Sequence, residues 1–311
     1  MKKSPYLNLS RIEFIVTYHC SGRCIHCSVD NQAQHQAHHV PTEQVTAAIR
    51  WLAEQYPVSS VMTFGGEPLL YPDVVCAIHD TARQSGVAAR QLITNGYFSK
   101  DDRRIGQVAR QLQEAGINDL LLSVDAFHQQ TIPLSVVRSF AIHARHAGLP
   151  IRVQPAWLVN RSYEHPYNAE TASILAEFDA MGISASSGND IFLAGRAKTH
   201  LASHYPPPQL DLSQYCGAMP YSEPLTEVSS LSIVPNGDVM VCSFVIGNLL
   251  TESIAEIVAR YDPYQNDCMR AIVTGGAPAL LQLAEERGLA ISADQCYSVC
   301  DLCRQVCEQL N

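Results

Sequence analysis

A chain of 311 residues with 47% hydrophobic and 16% charged residues holds enough apolar material for a sizeable core, in one large domain or two smaller ones. Its formal net charge of −9 opposes nucleic-acid binding, which needs clustered Lys and Arg, and docking on an anionic membrane. The start, MKKSPYLNLSRIEFIV, has no signal-type apolar core, and no run reaches about 18 apolar residues, so a cytoplasmic protein with no membrane span is expected. Eleven cysteines in a reducing compartment then point to metal ligation or catalysis rather than to disulfides.

RIEFIVT (11–17) reads as a buried first strand. HCSGRCIHCS (19–28) follows it, with Cys20, Cys24 and Cys27 spaced CX3CX2C in a loop that Ser21 and Gly22 favour. A closed zinc site or an iron–sulfur cubane takes four ligands, yet the next cysteine is Cys76. Three thiolates leave one iron of a cubane open to another molecule. A zinc knuckle with a distant fourth ligand is the alternative. HQAHH (35–39) has no acidic or thiol partner in its own loop and reads as a solvated or substrate-facing segment. A helix over 41–55, with Thr42 as expected N-cap, leads to strand SSVMTF (59–64).

That strand runs into Gly65-Gly66-Glu67-Pro68. The glycines permit φ > 0 and close backbone approach, and Pro68 helps fix the turn. Glu67 places a carboxylate where an ammonium could be held. The helix over 73–86 carries Cys76 on an apolar face, where it reads as a small buried hydrophobe. Strands follow at 89–95, 119–125 and 151–157, with helices at about 101–115, 135–148 and 169–182 between and after them, and a sixth strand near ISAS (183–186) or DIFLAG (190–195). Such alternation predicts parallel βαβ units. Asn95, Ser123, Asp125, Gln154, Asn189 and Asp190 fall at strand ends, where parallel barrels carry their sites.

CX3CX2C followed by GGEP resembles the signature of the radical S-adenosylmethionine (SAM) superfamily. The resemblance implies a partial (β/α)6 TIM-like barrel with a small cysteine-rich C-terminal extension. It implies a [4Fe–4S] cluster on Cys20, Cys24 and Cys27 whose open iron binds SAM, and reductive cleavage to a 5′-deoxyadenosyl radical. His26, before the last cysteine, is implied to shield the cluster near the adenine. Gly65, Gly66, Glu67 and Pro68 are implied to hold the SAM amino group. Asn95, Ser123 and Asp125 are candidates for its ribose and carboxylate, with turn chemistry as the alternative for each. IFLAGRAK (191–198) is similar to a GRA element of some subfamilies, which would bring Arg196 to the SAM carboxylate or the substrate. A flavodoxin- or ferredoxin-type electron donor is implied as partner.

The Pro-rich YPPPQ (205–209) predicts a boundary, giving a barrel over 1–204 and an auxiliary domain over 205–311. LSIVPNGDVMVC (231–242) reads as a β-hairpin turning at Asn236-Gly237, and amphipathic helices at 252–261 and 277–288 should pack the extension on the barrel. A cysteine before the hairpin, one on its return and a later CX2C resemble the Twitch or half-SPASM extension. That resemblance implies a second, auxiliary [4Fe–4S] cluster on Cys216, Cys242, Cys300 and Cys303. Cys296 and Cys307 are alternatives for one of these ligands, and a structural zinc site is the alternative to the cluster. Cys268, Cys296 and Cys307 are then spare thiols, either hydrogen-atom donors to a substrate radical or inert.

Two enzyme readings follow. The phrases LSVDAFHQ and IFLAGRAK are similar to peptide epimerases, which favours hydrogen abstraction in maturing a ribosomal peptide, by epimerisation or cross-linking. Ser243 follows Cys242, so no donor thiol stands beside that position. The second reading is an oxidoreductase on a small molecule such as a sugar, alcohol or cofactor precursor. A non-catalytic iron–sulfur or zinc module is the third.

Overall fold

The computed structural model describes residues 3–28, 38–219 and 222–310. Strand and helix alternate through β1 (Leu7–Ile15), α1 (Thr42–Gln55), β2 (Ser60–Phe64), α2 (Pro72–Gln84), β3 (Ala89–Thr94), α3 (Asp102–Glu114) and β4 (Asp119–Ser123). The short α4 (Ala126–Gln129) precedes α5 (Leu134–His146), β5 (Ile151–Gln154), β6 (Ala156–Trp157), α6 (Pro166–Ala180), β7 (Asn189–Asp190) and α7 (Gly195–Leu201). The remainder holds β8 (Val228–Ile233), β9 (Asp238–Val241), β10 (Phe244–Asn248), α8 (Ile254–Ala259), α9 (Asp267–Glu286) and α10 (Val299–Leu310).

The sheet order is β10-β9-β8-β1-β2-β3-β4-β5, parallel from β8 through β5, and β6 pairs with β7 in a separate parallel ribbon. This is the expected α/β, barrel-like arrangement, and it does not close. Pro155 splits the strand expected over 151–157, because proline offers no N–H to a ladder. The sixth strand is correspondingly broken: Ala185 bridges Val153, and β7 then pairs with β6. The expected N-cap also moves. Thr42 is the first helical residue of α1, and Pro41 holds the cap position with no side-chain cap bond.

The first strand begins at Leu7, four residues before the pattern suggested, because β8 pairs along its other edge. Along β1 the buried positions switch from Leu7 and Leu9 to Ile12 and Phe14, and a register shift lies between Leu7 and Arg11. Across that shift β1 advances four residues, Leu7 to Arg11, while β8 advances two, Val228 to Ser230, so the irregular stretch lies on β1 where its buried face changes. On the face that carries Arg11, a polar ladder crosses the N-terminal strand ends. Arg11 meets Glu13 at 2.6 Å and Gln91 at 2.8 Å, Gln91 donates to Asp119 at 2.7 Å, and Asp119 pairs with Arg152 at 2.9 Å. Two-residue periodicity puts Phe64, Ile93 and Ser123 on that same face at the opposite strand ends, where a cleft opens.

Candidate active site

The cleft is lined by Cys20, Cys24 and Cys27 together with Tyr18, Gly22, His26, Gly65, Gly66, Thr94, Asn95, Ser123 and His128. Cys24 is buried, Cys27 half-buried, and Cys20 open to solvent. Gly22 N–H donates to Cys20 Sγ at 3.3 Å and Asn95 Nδ2 to the same sulfur at 3.6 Å, while Thr131 Oγ1 lies 4.0 Å from Cys24 Sγ. Burial, then the negative charge of Asp125, pushes the Cys24 thiol up to about 12.

The GGEP loop packs against the segment that leads into the cysteines. Gly66 N–H donates to Thr17 O at 2.7 Å and Glu67 N–H to His19 O at 2.8 Å. A Cβ on Gly65 or Gly66 would collide with the carbonyl oxygens of Thr17 and His19, and Gly65 sits at φ +143. The close approach that needs glycine is thus one between two loops.

The Glu67 carboxylate was expected to face an ammonium, but it is fully buried and already occupied. It accepts from Leu69 N–H at 2.9 Å, Thr94 Oγ1 at 2.7 Å and Asn95 N–H at 2.8 Å, tying the end of β2 to the end of β3. Neither Glu67 nor Pro68 lines the cleft, so Gly65 and Gly66 are what this loop offers to a ligand.

Asp125 is likewise spoken for. It caps α4 by accepting from Phe127 and His128 N–H, and it also accepts from Ala156 N–H at 2.9 Å and meets His128 Nδ1 at 2.8 Å. Burial alone would raise its carboxyl, but His128 and the N–H donors hold it well below the usual carboxylate range. The His26 ring lies 4.6 Å from His128 and 5.1 Å from Phe127, with its Nδ1 buried and without a hydrogen-bond partner among the described residues. Burial, then the nearby His128, lowers His26 to about 4. His26, Asp125 and His128 each offer a ligand atom within 4.8 Å of the others, but both Asp125 oxygens already carry donors.

Arg196 was expected to reach a ligand carboxylate. Its guanidinium instead donates to Cys24 O at 3.1 Å and Arg23 O at 3.3 Å, and Ala197 N–H donates to Cys27 O at 3.3 Å. The start of α7 therefore holds the back of the cysteine loop. Of the other strand-end residues, Gln154 is engaged by Ser186 Oγ at 2.6 Å, and Asn189 and Asp190 form β7. Cys76 packs against the core as read from the sequence. Of HQAHH, residues 35–37 lie outside the described residues; His39 Nδ1 meets Val40 O at 2.8 Å.

Towards the C-terminus, Cys216, Cys242 and Cys300 come together. Burial, then the neighbouring Cys242 and Cys216, pushes the Cys300 thiol up to about 11. Cys242 follows β9 and is left-handed at φ 54, a costly conformation outside glycine and one that marks functional positions. Helical spacing places Cys300, Cys303 and Cys307 along one stripe of α10. Cys303 Sγ lies 4.0 Å from Cys307 Sγ, and Cys307 also hydrogen-bonds Cys268, so these three buried thiols form a chain beside the first group. Cys296 stands apart, bonded to Ser292 O at 3.6 Å and Gln305 Nε2 at 3.5 Å. Cys268, Cys296 and Cys307, expected as spare thiols, do not line the first cleft.

Sequence reasoning did not nominate His128 or Thr131. The signal for His128 was present in Asp125-Ala-Phe-His, an acidic N-cap with its partner three residues on.

The donor set suits an iron–sulfur group: burial and the negative charge of Asp125 make the thiolate of Cys24 costly without metal charge, and N–H donors converge on Cys20 sulfur. Fold and site together define a βα enzyme with a thiol-built centre at the C-terminal ends of its strands. Residues 14–148 match the radical SAM superfamily, and residues 226–304 match the SPASM iron–sulfur cluster-binding domain. The chain thus carries a radical SAM domain, of the kind that uses a [4Fe–4S] cluster and SAM, and a SPASM domain, which implies auxiliary iron–sulfur binding. The pairing of these two domains supports a radical SAM enzyme over a non-catalytic module.

Among curated relatives, the GTP 3',8-cyclase of Lactiplantibacillus plantarum is 31% identical over 121 residues, 37% of this chain and 33% of that protein. Human molybdenum cofactor biosynthesis protein 1 is 26% identical over 126 residues, 40% of this chain and 18% of that protein. The chain thus spans about a third or less of these relatives' length. Two solved structures share the fold. Native anSMEcpe with bound AdoMet has a TM-score of 0.53 at 13% identity, covering 96% of each chain. Streptococcus suis SuiB bound to precursor peptide SuiA has 0.54 at 12%, covering 94% of this chain and 76% of that one.

Proposed function

We propose that this radical SAM enzyme acts on a residue of a peptide, removing a hydrogen atom in a maturation step such as epimerisation or cross-linking. The observation that carries this reading is a groove of about 670 Å³ after β6, lined by Trp157, Arg161, Tyr163, His165 and Asn168. A run of ring contacts leads to it from the cysteine cleft: His26 to Phe127 at 5.1 Å, Phe127 to Tyr167 at 4.8 Å and Tyr167 to His165 at 5.0 Å. The groove's loop is tightly held. Buried Asn168 binds Leu158, Asn160 and Tyr163 backbone, and Val159 sits at φ 61 with its N–H on Tyr205 Oη. Strain of that kind in a β-branched residue persists only where the surroundings enforce it. A fixed groove beside the cleft suits the residues flanking a reacting one, and the printed title of SuiB, bound to its precursor peptide, is consistent with it.

In this reading Cys20, Cys24 and Cys27 hold the cluster, and Cys216, Cys242, Cys300 and Cys303 hold an auxiliary one. When bound, cluster and SAM supply one-electron chemistry able to take hydrogen from an unactivated carbon. The chain's own residues position and shield. Arg196 and Ala197 fix the cysteine loop, the His26 ring, backed by Phe127, walls the cleft against water, and Asp125 fixes the His128 ring through Nδ1. A flavodoxin- or ferredoxin-type protein supplies the electron, and the reduced cysteines suit a cytoplasmic location. The relatives' names favour a second reading, a small-molecule reaction on a nucleotide or cofactor precursor.

Anaerobic reconstitution tests the centre. The wild type should take up about eight irons per chain, four for each cubane. With dithionite and SAM it should release 5′-deoxyadenosine, and Cys24→Ala should not. Retained cleavage by that variant would sink the assignment. Incubation with GTP separates the two substrate readings: GTP should survive, and its consumption would transfer the enzyme to the second.

A further inference from the structure

We propose that Asn95 tunes the reduction potential of the cluster held by Cys20, Cys24 and Cys27, by donating a hydrogen bond from its side-chain amide to the Cys20 sulfur. The inference rests on the cluster reading above. Asn95 was nominated as a ligand contact, but its atoms are otherwise committed. It is only 6% exposed. Its backbone N–H is held by Glu67 Oε2 at 2.8 Å, and its Oδ1 accepts from Tyr97 N–H at 2.8 Å. That second bond fixes the amide's orientation, because a flip would set an NH2 group against an N–H donor. Nδ2 is left facing Cys20 Sγ at 3.6 Å and Ser21 Oγ at 3.4 Å.

Glu67 makes the arrangement rigid. It is itself pinned by Leu69 and Thr94, so two strand ends cooperate to deliver one carboxamide to one sulfur. The three thiols are therefore not equivalent. Cys20 receives two N–H donors, from Gly22 and Asn95, whereas Cys24 has a hydroxyl at 4.0 Å. Reduction adds one electron, taken from dithionite or an electrode, and so adds negative charge to the cluster and its thiolates. A donor dipole aimed at a ligand sulfur favours that added charge and raises the potential.

The test is a redox titration of the reconstituted enzyme by electron paramagnetic resonance, following the reduced-cluster signal that changes when SAM is added. Asn95→Leu removes the donor at similar size. Asn95→Asp keeps the acceptor for Tyr97 N–H, and with it the local fold, but turns an acceptor towards Cys20. Both should titrate at lower potential than the wild type, Asp lowest, while Ser21→Ala, which removes only the other partner of Nδ2, should not move. A SAM-sensitive signal whose potential is unchanged in both Asn95 variants overturns the proposal and leaves the cluster reading standing. No SAM-sensitive signal in the wild type overturns the cluster reading itself.

Discussion

His79 shows how much a single buried side chain constrains this protein. It lies on α2, fully buried, with Nε2 on Thr63 Oγ1 at 2.8 Å and no partner for Nδ1 among the described residues. Burial, then the positive charge of Arg90, lowers it from 6.5 to about 3. The unfolded chain therefore binds a proton below about 6.5 that the folded chain refuses until about 3, and stability falls as pH falls through that window. By pH 5 the loss should be about 2 kcal/mol from this residue alone. His79→Leu removes the titrating group and leaves the Thr63 hydroxyl without its partner. The variant should melt below the wild type at pH 7.5, and the gap should narrow on going to pH 5. A gap that stays constant across that range would show that His79 does not carry the acid sensitivity.

At the scale of elements, α7 is the unexpected support of the site. Its first residues bond to three carbonyls of the cysteine loop, from Arg23, Cys24 and Cys27. Arg196→Ala should lower the iron retained after anaerobic desalting while leaving the melting temperature nearly unchanged. Arg196→Lys, with one ammonium in place of a planar fork, should recover only part of it. Full iron retention in Arg196→Ala would mean that the loop holds its shape unaided. The sequence pointed at Arg196 as a contact to SAM or substrate, whereas its guanidinium turns to the loop carbonyls, since nothing local says which way a guanidinium turns. The same holds at Glu67 and Asp125, where strand-end carboxylates turned out to be filled by neighbouring N–H groups. The α/β alternation was legible from β2 to β4 because each strand is a short apolar run before an amphipathic helix. The break at Pro155, the third hairpin strand β10 and the cysteine-bearing helix α10 were missed. Pro155 was visible, but the apolar run was read through it; α10 is rich in the cysteines that had been read for spacing alone.

For the whole molecule, the decisive contact is β8 on β1. The expected boundary at 204/205 falls between two strands that are neighbours in one sheet. One apolar core runs through both parts, from Leu9, Ile12 and Phe14 to Leu231, Ile233 and Val306. Lys198 on α7 also reaches Asp301 on α10 at 2.9 Å, so the first part supplies one of the two cations, with Arg304 at 3.1 Å, that offset a carboxylate only 5% exposed. No local pattern could have shown this, because the paired strands lie some two hundred residues apart. We propose that the two parts fold as one cooperative unit. A chain cut after residue 204 would leave the β1 edge with its ladder N–H and C=O groups open, beside apolar surface that β8 and α10 now cover. Fragment 1–204 should therefore be recovered mainly as aggregate, and the full chain should show one calorimetric transition that carries both ends together. A soluble, monomeric fragment with native-like circular dichroism would show instead that the first part folds alone and that β8 merely docks on a finished sheet.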